Sequence, residues 1–176
     1  MRTNLFRDEP HVEKILAERI LFGELRLPGT ILRYPMVYGP NDGGRIMDPL
    51  TRMNDGRPAI ILDERMTSWR WSRGYAENVA HATVLAVVND RAAGRIYNVA
   101  EPEALSMTEW IKAIGRATGW RGETVPLPHD QLPAHLQTPN HWDQDWVVDR
   151  REFVRNCATE RTSQSRNRCV ARWSGG

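Results

Sequence analysis

The stretch LPGTILRYPMVYGPND, residues 27–42, decides how this chain is read. Pro28-Gly29 makes a turn, because proline presets its own φ and glycine accepts conformations closed to other residues. Residues 30–38, TILRYPMVY, are dense in β-branched and aromatic side chains, which predicts a strand. The run Gly39-Pro40-Asn41-Asp42-Gly43-Gly44 is loop by composition. A strand that opens into a Gly-rich loop is where ligands sit in open α/β sheets, since backbone groups past the strand end are free.

Outward from this stretch, residues 11–25 read as a helix with Ile15, Leu16, Ile20, Leu21 and Phe22 on a broad apolar face. On the other side come a short helix over 46–54 and a strand over 58–62. A candidate strand over 67–75 carries Trp69 and Trp71 on one face. A helix over 76–88 has apolar spacing at Val79, Ala82, Thr83 and Ala86, and residues 95–100 make another strand. Ser106-Met107-Thr108-Glu109 is a capping box, opening a helix that Gly119 ends. Residues 124–127 and 145–149 are short extended pieces around a Pro-, His- and Asp-rich segment, 128–143, of loop or short helical turns. The order is mixed α/β, and it starts on a helix with no strand before it, which predicts a missing front half.

Composition narrows the class. The 176 residues make about one domain, and 40% hydrophobic content excludes disorder throughout. No apolar run is long enough for a transmembrane helix, and residues 1–10 are charged, unlike a secretory signal. Cys157 and Cys169 make no disulfide framework, so a cytoplasmic protein is expected. A net charge of +2 does not argue for nucleic acid. The cations are 22 Arg beside only Lys14 and Lys112, a bias that GC-rich codons explain.

Four blocks carry a resemblance. They are Lys14-Ile15-Leu16-Ala17-Glu18, Leu32-Arg33-Tyr34-Pro35-Met36-Val37-Tyr38-Gly39-Pro40, Tyr75-Ala76-Glu77-Asn78-Val79-Ala80, and Gly94-Arg95-Ile96-Tyr97-Asn98-Val99. In this order, with the Ser106 box following, they resemble the C-terminal half of the extended short-chain dehydrogenase/reductases, the NAD-dependent epimerase/dehydratases, over about residues 11–149. The resemblance implies an α/β fold: part of a Rossmann-type parallel sheet plus a small C-terminal substrate lobe. It implies NAD or NADP as cofactor and transient oxidation of a sugar or nucleotide-sugar hydroxyl. Lys14 would be catalytic, binding the nicotinamide ribose and tuning a tyrosine. Tyr34, Pro35, Met36 and Val37 would line the nicotinamide side, and Tyr38, Asn41, Arg70 and Arg73 would face the substrate. No metal, membrane or nucleic-acid partner is implied; self-association, where it occurs, would make a homodimer.

The chain departs from this pattern in three places. No Gly-rich dinucleotide turn is present; Gly115-x-x-x-Gly119-x-x-Gly122 falls at a helix end, where the dipole is negative and wrong for phosphate. The family's tyrosine, four or two residues before the lysine, is replaced by Pro10 and Val12, so the general base is lacking. Where the family often has a phosphate-holding arginine stands Trp71, flanked by Arg70 and Arg73. His129, His135, His141 and Asp143 match no zinc spacing, and Trp142 and Trp146 are expected to pack the small lobe.

Residues 150–176 change character. Seven arginines and two glutamates give them a net +5, with little apolar periodicity. They read as a basic disordered or out-of-frame tail; one base earlier, Asn156-Cys157 must encode leucine whatever the codons. The sequence therefore predicts a segment inactive by itself. The alternatives are a non-catalytic binding or scaffold member of the fold, or an interaction module completed by a partner chain.

Overall fold

A computed structural model describes residues 10–157, apart from 25, 41 and 43–45. Helix α1 spans Pro10–Gly23, and strands β1 and β2 follow at Ile31–Arg33 and Met36–Tyr38. Then come α2 (Met47–Asn54), β3 (Ala59–Asp63), β4 (Arg73–Tyr75), α3 (Ala76–Val87) and β5 (Ile96–Asn98). The chain continues through α4 (Met107–Thr118), β6 (Glu123–Leu127) and α5 (Arg151–Asn156).

Among the described residues the three strand pairings are all parallel. Leu32 of β1 lies opposite Tyr97 of β5, Val37 of β2 opposite Gly74 of β4, and Ile61 of β3 opposite Val125 of β6. The single strand expected over 30–38 is thus two, divided at Tyr34-Pro35, and each half takes a different neighbour. Proline has no N–H to give a ladder, so the division falls where pairing would be interrupted anyway. The strand expected over 67–75 is likewise shorter: Arg70 and Trp71 make only isolated bridges, to Ser106 and Trp146.

Two apolar clusters hold these elements. Tyr38, Leu50, Ile60, Leu62, Tyr75 and Trp110 belong to the first, which joins β2 and β4 to β3, α2 and α4. Tyr97, Val99, Ala82, Ala86 and Phe153 belong to the second, between β5, α3 and α5. Phe153 meets the Tyr97 ring edge-on at 5.7 Å and Cys157 is buried beside it. Residues 151–157 of the expected tail are therefore packed, and residues 158–176, Cys169 among them, lie outside the described residues. Among the described residues no helix is long and apolar enough to cross a membrane.

The ends of α4 follow local chemistry. The Ser106 side chain accepts from the Glu109 amide and Glu109 accepts from the Ser106 amide, so two free helix-start donors are satisfied. Gly119 closes the helix at φ 73°, a left-handed conformation that favours glycine.

Candidate active site

The carboxyl end of β2 meets that of β4 at Tyr38 and Tyr75. Beyond Tyr38, Gly39 has φ 153°, and a Cβ there would lie 3.1 Å from the Ala76 Cβ, so the loop turns tightly against the start of α3. Asp42 closes that loop: its amide donates to the Gly39 carbonyl (3.2 Å) and its carboxylate accepts from the Ile46 amide (3.2 Å).

A buried polar network supports the loop from beneath. The Tyr38 hydroxyl donates to Glu101 Oε1 at 2.8 Å, and the same oxygen accepts from the Tyr75 amide at 3.1 Å. The Glu101 amide donates to the Arg73 carbonyl at 2.8 Å. Arg73 is only 2% exposed. Its Nη1 donates to the carbonyls of Trp71 (3.0 Å) and Leu105 (2.9 Å), and its Nη2 reaches Met107 Sδ (2.9 Å). The guanidinium lies 4.7 Å from the Trp110 ring centre, and the Tyr38 ring meets Trp110 edge-on, also at 4.7 Å. Burial pushes the Arg73 pKa down to about 10, against the opposing pull of Glu101, so the group remains a cation at neutral pH.

The expected site residues fall into separate groups. Met36, Tyr38 and Arg73 come together, but inside the core, because strand alternation turns Met36 and Tyr38 to one face. Arg73 and Tyr38 therefore do not face outward as expected. Val37 points the other way and is half-buried, while Pro35 packs against Gly74, whose Cβ would meet it at 3.2 Å. Tyr34 is half-exposed, its hydroxyl 2.8 Å from Thr83 Oγ1 on α3. Arg70 is at the surface but engaged by the Ala104 carbonyl (2.9 Å) and Glu109 Oε2 (3.0 Å). Lys14 is exposed on α1, a helix tied to β1 by the paired bonds of Arg33 to Glu18. Asn41 lies outside the described residues.

The structure adds residues that sequence reading missed. Asp63 ends β3 with its carboxylate buried, accepting from the Arg65 amide (3.0 Å), Arg65 Nη2 (2.6 Å) and His129 Nδ1 (2.8 Å) just past β6. The Arg65 bonds, foremost, and then His129 hold its carboxyl well below the usual carboxylate range. Placement at the carboxyl ends of two parallel strands was the available signal; the partnership of residues 63 and 129 was not.

Gly115, Gly119 and Gly122 form no cradle for a dinucleotide pyrophosphate. The Trp120 ring fills the space beside Gly115 and Gly122, and Gly119 is the stop of α4. No group of three metal-ligating side chains gathers among the described residues.

The fold has a clear place among known proteins. The NAD dependent epimerase/dehydratase family model matches residues 11–100, just over half of the chain. This chain belongs to that family. The epimerase/dehydratase match covers α1 through β5, which are the elements around the Tyr38–Gly39 loop. The "Uncharacterized protein y4nL" of Sinorhizobium fredii (strain NBRC 101917 / NGR234) is 35% identical over 115 residues, 61% of this chain and 32% of that protein. UDP-glucuronic acid 4-epimerase from Bacillus cereus, solved with UDP-glucuronic acid and NAD, is similar with a TM-score of 0.61 at 20% identity, over 83% of this chain and 45% of its own. UDP-N-acetylglucosamine 4-epimerase from Methanobrevibacter ruminantium M1, solved with UDP-N-acetylmuramic acid, gives 0.64 at 14%, over 91% and 49%. UDP-glucose 4-epimerase from Thermus thermophilus, solved with NAD, gives 0.59 at 23%, over 82% and 45%. These structures share the fold. The epimerase/dehydratase chain spans about a third of the curated relative and less than half of each solved one.

Proposed function

We propose that this chain supplies the late parallel strands and the substrate lobe of an NAD(P)-dependent enzyme that transiently oxidises a sugar or nucleotide-sugar hydroxyl. The observation that carries the reading is the family match over residues 11–100, which takes in the β2–β4 pair and the Tyr38–Gly39 turn. The cofactor supplies hydride exchange when bound. On this side of it, Lys14 would hold the nicotinamide ribose and lower the pKa of a neighbouring tyrosine, so that its phenolate takes the hydroxyl proton. Tyr34, Pro35, Met36 and Val37 would form the strand along the nicotinamide, with Met36 acting through the core. The loop after Tyr38, with Asn41, would border the substrate, and Arg73 would position that loop through Glu101. The 176 residues contain neither the Gly-rich turn nor a tyrosine at 10 or 12, so by themselves they would not turn over substrate.

A chimera tests the reading. Residues 10–157 are joined to the Gly-rich half of a family epimerase, with Pro10→Tyr placing a tyrosine one helical turn before Lys14, on the same face of α1. NAD-linked oxidation of a sugar is expected, and Lys14→Met should lower it at least a hundredfold. A folded, NAD-binding chimera that oxidises no sugar would overturn the enzyme reading. Ligand binding without turnover would support the non-catalytic reading, which Pro10 and Val12 favour.

A further inference from the structure

The outer face of α3 carries an apolar stripe. Val79, Ala82 and Ala86 of this helix are buried, while Val84, Val87 and Val88 at its end are 57%, 80% and 72% exposed. Spacings of three and four put the exposed valines on one side, with Ala80 and His81 exposed one turn before them. Valine is β-branched and a poorer helix former than alanine, lysine or glutamate, so three at exposed positions serve neither solubility nor the helix itself. Contiguous apolar surface of this kind marks a contact.

The path of the chain points to what makes that contact. Helix α5 ends against the same end of α3: the Asn89 side-chain amide, directly after Val88, donates to the Asn156 carbonyl at 2.7 Å. Cys157 is buried in the cluster that holds Ala82 and Ala86. The chain therefore leaves the described residues beside the end of α3. Nineteen residues follow, 158–176, with Val170 and Trp173 as their large apolar side chains. Thirteen positions separate Cys157 from Val170. A linker of that length reaches about 20 Å, whereas Val84 to Val88 rises only about 6 Å along the helix. So short a tether gives an effective concentration near the millimolar range, and a small apolar contact is then enough. A second copy of the chain has no tether and would need about 800 Å² on each partner, far more than three valine side chains offer.

We propose that residues 158–176 fold back onto α3, with Val170 and Trp173 covering Val84, Val87 and Val88. The contact extends the second apolar cluster outward from Ala82 and Ala86. It also braces the helix whose first residue, Ala76, the Gly39 turn packs against. The enzyme reading does not enter this proposal, which concerns the chain as it stands.

Cys169, next to Val170, reports the contact in the full chain. A second thiol is placed beside the stripe by His81→Cys and, in a separate chain, near the root of the segment by Arg155→Cys; both positions are exposed. Each chain is treated with a short bismaleimide. The rate of linking to Cys169 within one chain is divided by the new thiol's rate with N-ethylmaleimide. Linking at 81 is expected to be at least fivefold faster than at 155, although 155 is far nearer along the sequence. Trp173→Ala and, separately, Val84→Asn should each cut the rate at 81 at least threefold without lowering that at 155, circular dichroism confirming that the variants are folded. A smaller ratio of 81 to 155, or a rate at 81 indifferent to both substitutions, would overturn the proposal. Links at 81 that join only two chains would overturn it too, because a second copy would then be the cover.

Discussion

The Tyr38 hydroxyl and the Glu101 carboxylate, 63 residues apart in sequence, meet at 2.8 Å beneath the loop that closes β2. Glu101 also accepts the Tyr75 amide, so one carboxylate joins the ends of β2 and β4. Removing it by Glu101→Ala leaves a hydroxyl and an amide without their acceptor and should cost about 2–3 kcal/mol in urea unfolding of the full chain. Tyr38→Phe removes one hydrogen bond while keeping the ring on Trp110, and should cost about 1 kcal/mol. Equal losses in the two variants would contradict the shared role of Glu101.

Arg73 gives a larger effect. Arg73→Ala opens a cavity beside Trp110 and frees two buried carbonyls, for an expected loss of about 3–5 kcal/mol. Arg73→Met restores most of the volume and the apolar contact with Trp110, so it should recover at least half of that loss. Thermal melts of the two variants side by side check the order; a surface arginine would show no difference.

Asp63 predicts a pH dependence. Its folded carboxyl lies below its unfolded pKa of about 3.9, chiefly because Arg65 donates to it. The unfolded chain therefore takes up protons first on acidification. The stabilising contribution is complete above about pH 5 and is lost progressively as pH falls through about 4 toward the folded value. Asp63→Asn should be less stable than the wild type at about pH 7, with the gap closing below about pH 4. Acid titration of unfolding free energy for both proteins reads this directly, and a gap independent of pH would rule the linkage out.

Gly39 combines φ 153° with a tight approach to Ala76. Gly39→Ala should cost about 1–3 kcal/mol from backbone strain and crowding, and Ala76→Gly in the same chain should relieve only the crowding share. Full rescue by the second change would show that the backbone conformation carries no strain.

Elements whose signals are local could be read before any fold was known. The Ser106–Glu109 box and Gly119 mark both ends of α4 because their hydrogen bonds close within a few residues. The blocks at residues 14–18, 32–40, 75–80 and 94–99 pointed to the family for a related reason, since each is a short contiguous run whose residue types are read without knowing what it packs against. Strand continuity was not legible: residues 30–38 look like one strand, and only the separate neighbours β5 and β4 divide them. Nor was the fate of the arginines. Arg70 and Arg73 stand three apart and are both expected to face the substrate, yet carbonyls at 71 and 105 and a sulfur at 107 draw one of them into the core. The pairings of Tyr38 with Glu101, of Asp63 with His129, and of Trp71 with Trp146 join residues more than 60 apart. Local hydrogen bonding and apolar periodicity act over a few residues and are written in the sequence. Which polar group meets which, and which side chain faces water, depends on distant segments that only packing brings together.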